Sequence, residues 1–167
     1  KTVDGYTLGV HIADVSHYGD PGSALDLQAR ERACSVYLPD RVIPMLPERL
    51  SNGICSLNPG EDRLCMTVDL YLDNAGKLVA HEVFPAVMRS RARLDYGQAQ
   101  DILEGRGAET GIAPELLDAL VPRIKAADAI ARARLIARLE TGGLEFHTKE
   151  VKIKLDASGE PVGVIVR

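Results

Sequence analysis

The distribution of apolar and polar positions divides this chain into short alternating runs and one long helical one. Thr7 to Val15 (TLGVHIADV) is β-branched and apolar, which predicts a buried strand. Gly19-Asp20-Pro21-Gly22 ends it, and Ser23 then caps a predicted helix from Ala24 to Ala33 with Asp26 in its first turn. Ser35 to Leu38 reads as a short extended piece. Pro39, Pro44, Pro47 and Pro59 make the following stretch irregular, with one helical turn around Glu48 to Leu50. A loop-rich stretch of this length inside a compact domain is often functional.

Leu64 to Leu72 alternates as a strand. Asp73-Asn74-Ala75-Gly76 supplies a turn, and Lys77 to Ser90 returns as the second arm of a hairpin. Pro85 has no N–H to give a ladder, so it implies a sheet edge or a bulge. Tyr96 to Glu104 reads as a short helix stopped by Gly105. Pro114 suits the first turn of a long helix reaching about Glu140. Leu116, Leu120, Ile124, Ala127, Ile130 and Ala131 form its apolar stripe, and Pro122 is expected to kink or split it. Gly142-Gly143 ends it. Val151 to Leu155 and Val162 to Val166 flank a turn and make a last hairpin. Hairpins with helices grouped between them predict an α+β fold, with a mixed or antiparallel sheet and a long helical segment.

Composition narrows the function classes. The chain has 167 residues, 46% hydrophobic and 26% charged, enough to bury a core and stay in solution. With no Trp and two Phe, that core must come from Leu, Val, Ile and Ala. The net charge of −4 argues against a strongly cationic nucleic-acid binder. A metal-dependent nuclease remains compatible with it, because such an enzyme needs carboxylates and can cluster its basic groups locally. Cys34, Cys55 and Cys65 form no C-x-x-C pair and predict reduced, mostly buried thiols in a cytoplasmic protein. No apolar run approaches the roughly 20 residues of a membrane span. The opening Lys1-Thr2-Val3-Asp4-Gly5 reads as a turn entering a strand, which suggests a fragment of a longer chain.

Several residues invite chemistry. His11, Asp14 and His17 carry metal-ligand types, but on a strand Asp14 points away from both histidines. Their expected role is support, with Asp14 making structural hydrogen bonds. Arg89, Arg91 and Arg93 alternate and would share one strand face, where they need solvent, carboxylates or phosphates. Arg132, Arg134 and Arg138 read as surface charges on the long helix. Ser16, Ser35 and Ser56 show no nucleophile-elbow pattern. Tyr37, Tyr96 and Phe146 would, on composition alone, be assigned to the core.

Six blocks change that last assignment. They are Gly9 to Tyr18 (GVHIADVSHY), Gly22 to Asp26 (GSALD), Ser35 to Pro59 (SVYLPDRVIPMLPERLSNGICSLNP), Arg63 to Met66 (RLCM), Ser90 to Tyr96 (SRARLDY) and Gly142 to Phe146 (GGLEF). With them the chain resembles the ribonuclease II/ribonuclease R (RNB) family of 3′→5′ exoribonucleases, and the blocks are more like ribonuclease R. The resemblance implies that residues 1–167 are the central part of an incomplete RNB-type catalytic domain. It implies hydrolysis of RNA, processively, to nucleoside 5′-monophosphates, with magnesium as the cofactor of the parent enzyme. The family's Asp-x5-Asp-x-Asp-Asp motif and its Thr-Ser-Pro-Ile-Arg segment have no match here, and the sequence has no Asp-Asp or Asp-x-Asp. No catalytic residue and no metal ligand is therefore assigned within the chain. No bound magnesium is expected, and the segment alone is expected to be inactive.

The resemblance also implies that Tyr37, Tyr96 and Phe146 stack on nucleotides at the 3′ end of single-stranded RNA; from the alternating arginines, Arg91 is a candidate for phosphate contact, against a plain solvated face. Stacking accepts any base, as a processive nuclease requires. The alternative is a non-catalytic RNA-binding or interaction module sharing the fold. No membrane partner is expected, whereas self-association through exposed sheet edges of the fragment is.

Overall fold

The RLCM block lies in the strand around which the largest sheet is built. In this computed structural model, which describes residues 4–146, 149 and 151–166, the element order is β1 (Gly5–Ala13), α1 (Ala24–Arg32), β2 (Val36–Tyr37), β3 (Val42–Ile43), β4 (Asp62–Asp73), β5 (Leu78–Arg89), α2 (Tyr96–Leu103), α3 (Pro114–Glu140), β6 (Val151–Leu155) and β7 (Pro161–Val166). The α+β expectation holds. The chain divides into two compact units: 1–12 with 57–144, and 13–56 with 145–167.

The first unit holds a three-stranded sheet in the order β1-β4-β5. β4 and β5 pair antiparallel from Asp62↔Arg89 to Leu72↔Leu78, with one irregularity at Tyr71/Leu72. β1 also runs against β4: Gly5 lies at Leu72, Gly9 at Asp69 and His11 at Thr67. Pro85 sits opposite Met66 in β5, an edge strand of this sheet, so the edge reading holds and the bulge lies elsewhere. Gly5 is required where it stands. Its φ is 151°, and a Cβ there would come within 2.0 Å of the Leu72 carbonyl oxygen.

One face of the sheet carries Cys65 and Thr67, both buried. Thr67 Oγ1 meets His11 Nδ1 at 2.8 Å and Cys65 Sγ at 3.4 Å, so its hydroxyl is satisfied inside the core. The opposite face carries Val10, Ile12, Met66, Val83 and Val87, all exposed. The hairpin turn approaches α3 closely. Arg134 donates to the Gly76 carbonyl at 3.2 Å, and a Cβ on Gly76 would stand 3.0 Å from that of Ala133.

Two expectations for α3 need correction. The helix runs unbroken past Pro122, so that residue does not split it. The apolar stripe is only partly covered: Ile130 is buried and Leu116, Leu120 and Ile124 are half-buried, while Ala127 and Ala131 are exposed. The first strand lies two residues earlier than expected, from Gly5 to Ala13. Asp14 then caps a 3-10 turn over Val15–Tyr18.

The second unit contains α1 and the β2-β3 and β6-β7 hairpins. Ser23 caps α1 as expected, accepting the Asp26 N–H at 3.2 Å. Asp26 accepts the Arg30 guanidinium and the Gly22 N–H, which together hold its carboxyl below the usual range. The GSALD block is thus a helix-start brace. A π-helical turn spans Arg49–Ile54 where one helical turn was expected. Of the three thiols only Cys65 is buried; Cys55 is half-buried and Cys34 exposed, so the mostly buried reading fails. Cys34 follows the end of α1 in irregular chain and reaches no core.

Candidate nucleic-acid interface

Tyr96 is the first residue of α2, and its surroundings explain its position. Asp95 caps the helix by accepting the Gln98 N–H at 2.8 Å, while the Asp95 N–H donates to Gln98 Oε1 at 3.1 Å. This reciprocal capping box fixes where the helix starts. Gln98 also donates to the Thr110 carbonyl at 3.2 Å, tying the helix start to the following turn. Tyr96 itself is 97% exposed. In the RLDY segment, then, Asp95 serves the fold and Tyr96 is left to solvent.

Burial alternates from Ala86 to Leu94, beyond the end of β5 at Arg89. Met88, Ser90, Ala92 and Leu94 are half-buried, and Arg89, Arg91 and Arg93 are exposed. The three arginines do not share a strand, as the sequence suggested, but they share the exposed side of one alternating segment. Asp62 takes Arg89 through two bonds, at 2.7 and 2.9 Å, and that guanidinium holds the Asp62 carboxyl below its usual range. Among the described residues Arg91 and Arg93 have no ion-pair partner.

Tyr37 lies in β2 opposite Val42 and is 77% exposed. The irregular loop around it is braced by its own sequence block. Ser35 Oγ accepts the Met45 N–H at 2.9 Å, the Leu38 N–H donates to the Arg41 carbonyl at 2.8 Å, and Arg32 donates to the Pro44 carbonyl at 2.7 Å. Tyr37, Leu38 and Pro39 line a hollow of about 430 Å³ with Val151, Lys152 and Ile153 of β6. Lys152 was not singled out from the sequence. It stands 115 positions away, and only the fold brings it beside Tyr37. Phe146, in irregular chain after α3, is 79% exposed. Tyr37 and Phe146 belong to the second unit, Tyr96 and Arg91 to the first.

The His11, Asp14 and His17 trio does not form a site. His11 is engaged with Thr67. Asp14 accepts from Ser16 Oγ at 2.6 Å and from the His17 N–H at 3.2 Å. The His17 ring meets Tyr18 edge-on at 5.1 Å. The supporting role expected for Asp14 is what its bonds describe, although His17 stands in the 3-10 turn and not on the strand. Among the described residues no three His, Cys, Asp or Glu side chains gather to hold a metal. The described residues thus do not fit a magnesium seat.

The RNB domain model matches residues 1–167. Ribonuclease R of Thermotoga maritima is 44% identical over 162 residues, which cover 97% of this chain and 22% of that protein. The structure of Mycoplasma genitalium RNase R in complex with double-stranded RNA matches all of this chain and 29% of its own, with a TM-score of 0.90 at 31% identity. Yeast Ssd1, a pseudonuclease, shares the fold over 80% of this chain, with a TM-score of 0.61 at 24% identity. The chain thus spans about a fifth of the length of the curated relative it matches. A match of that domain model over residues 1–167 shows that the chain belongs to the RNB domain family.

Proposed function

We propose that this chain is the RNA-gripping part of a 3′→5′ exoribonuclease, the segment that holds the 3′ end of single-stranded RNA by base stacking and phosphate contact. One observation carries the reading. Tyr37, Tyr96 and Phe146, the three aromatics that match the family's RNA contacts, are each more than three-quarters exposed. Core aromatics would be buried, and exposed rings are suited to stacking; those of Tyr37 and Tyr96 also stand on braced segments. The uncommitted Arg91 and the Lys152 beside Tyr37 add phosphate partners to both units. The longer protein would hydrolyse RNA processively to nucleoside 5′-monophosphates. Magnesium would supply Lewis-acid chemistry to that reaction. The described residues offer it no seat, so this chain's own share is binding and orientation. We place the protein in the cytoplasm, on the strength of its unpaired thiols; among the described residues no helix is long and apolar enough to cross a membrane.

The experiment has two arms. The chain alone is expected to bind single-stranded RNA and to release no nucleotides with magnesium present. Turnover that chelation abolishes would overturn the assignment of catalysis to other residues. The longer protein is expected to release nucleoside 5′-monophosphates under the same conditions. Yeast Ssd1 favours a second reading, a non-catalytic module, because it shows the same fold in a pseudonuclease. An Asp-x5-Asp-x-Asp-Asp motif encoded before Lys1 decides for the enzyme, and its absence decides for the module.

The isolated chain is also expected to self-associate. Edge strand β5 offers free ladder groups, and the face carrying Val10, Ile12, Met66, Val83 and Val87 is uncovered. A sedimentation series that shows only monomer at every concentration would refute this.

A further inference from the structure

The first unit contains a second cationic feature, outside the six sequence blocks that carry the family resemblance. Gly76, Lys77 and Leu78 at the β4–β5 turn and Ala131, Arg134, Leu135, Ala137, Arg138 and Thr141 of the α3 end enclose an open cavity of about 590 Å³. Its lining has three cations and no carboxylate, in a chain whose net charge is −4. The nearest turn carboxylate, Asp73, accepts the Ala75 and Lys77 N–H groups at 2.9 Å and is occupied with the turn. Arg134 is fixed by its bond to the Gly76 carbonyl, whereas Lys77 and Arg138 have no ion-pair partner among the described residues. The Thr141 hydroxyl donates back into its own helix, toward the Ala137 and Arg138 carbonyls at 3.0 Å. No aromatic ring lines the cavity, so it has nothing on which to stack a base.

We infer that this groove holds the phosphodiester backbone of single-stranded RNA, through Lys77 and Arg138 with Arg134 as a fixed third cation. Cations on an apolar floor without rings or carboxylates favour phosphate over nucleobase. The cations lie on two elements joined by the Arg134 bond, so their spacing is set by the fold and not by one flexible segment. The groove would act as a sequence-independent guide, separate from the aromatic grip. This inference rests on the RNA-binding reading of the chain.

The test measures binding of a single-stranded homopolymer RNA to the chain across a salt series, with folding checked by thermal melting. The double variant Lys77→Gln, Arg138→Gln removes two charges and leaves the Arg134 tether in place. Its log–log salt slope is expected to fall by about 1.4, from about 0.7 per phosphate contact on a single strand. Lys77→Arg with Arg138→Lys keeps the charges and is expected to keep the slope. A folded Gln variant with unchanged slope overturns the groove and leaves the aromatic grip standing. Failure of the unsubstituted chain to bind at low salt overturns both. A Gln variant whose affinity falls at every salt concentration alike, with no change of slope, also overturns the phosphate assignment.

Discussion

The β4–β5 hairpin and the β6–β7 hairpin are built from similar alternating apolar residues, but only the first takes part in a core. β4 buries Cys65, Thr67 and Leu72, and Ile102 and Ile130 are buried in the same unit. In β6 and β7, Val151, Ile153, Val162, Val164, Ile165 and Val166 are all exposed, and no described residue of the second unit is buried. The difference lies in what each hairpin acquires. β4 gains β1 on its free edge, whereas among the described residues β6 and β7 pair only with each other, and a lone two-stranded hairpin is marginal in water. Alternation gives a strand two faces, and burying one of them takes neighbours along the strand's edges and a layer packed on the face.

The sharpest way to break this comparison is to truncate one side chain in each hairpin. Leu72→Ala is expected to cost about 2–5 kcal/mol, because a buried leucine leaves a cavity. Ile153→Ala, at a position 43% exposed, is expected to stay within about 1 kcal/mol. Thermal melting of the two variants would show a loss of several degrees for the first and little for the second. Equal losses would mean that the second unit has a core of its own.

Function is expected to follow a different division. Tyr96→Ala in the first unit and Tyr37→Ala or Phe146→Ala in the second should each remove about 1–3 kcal/mol of RNA binding, five- to more than a hundredfold in affinity. Melting temperatures should stay unchanged, since all three rings are exposed. The cost should be similar for different homopolymers, because every base has a π face. Arg91→Gln should instead flatten the salt dependence. A Tyr96→Ala variant that melted early and kept its RNA affinity when folded would return Tyr96 to the core.

A smaller effect is expected within the sheet itself. Asp69 stands directly opposite Glu82, and like charges so placed repel. Their field, Glu82 above all, pushes the Tyr71 hydroxyl above its ordinary pKa. Glu82→Gln should therefore stabilise the hairpin by about 0.2–1 kcal/mol in chemical denaturation. It should also bring the Tyr71 titration back toward the ordinary value, read by NMR.

The smallest effect concerns Asp62 and Arg89, at the open end of the same hairpin. Arg89 depresses the folded-state pKa of Asp62, so the pair contributes above the ordinary carboxylate range and its contribution is lost as pH falls through the depressed value. Both groups are exposed, so screening keeps the gain small. Arg89→Gln should move the Asp62 carboxyl titration upward by NMR while barely changing stability at neutral pH. An Asp62 titration that did not move would show that the pair does not persist in solution.

The sequence by itself determined the elements whose signals are local. Ser23 before Ala24, Pro114 opening α3, the Asp73 to Gly76 turn and the Pro85 edge all follow from backbone chemistry acting within a few residues, and each stands where it was read. The Asp95–Gln98 capping box was equally legible, although the sequence reading did not use it. The end of β1 at Ala13 was less legible, because Val15 continues the apolar pattern while Asp14 turns the chain by taking two local bonds. Tertiary structure alone decided which apolar residues are covered. It buried Thr67 against His11, left the Ala127 and Ala131 side of α3 in solvent, and brought Lys152 beside Tyr37. Those outcomes depend on which strands and helices become neighbours, and periodicity within one segment carries no information about its neighbours.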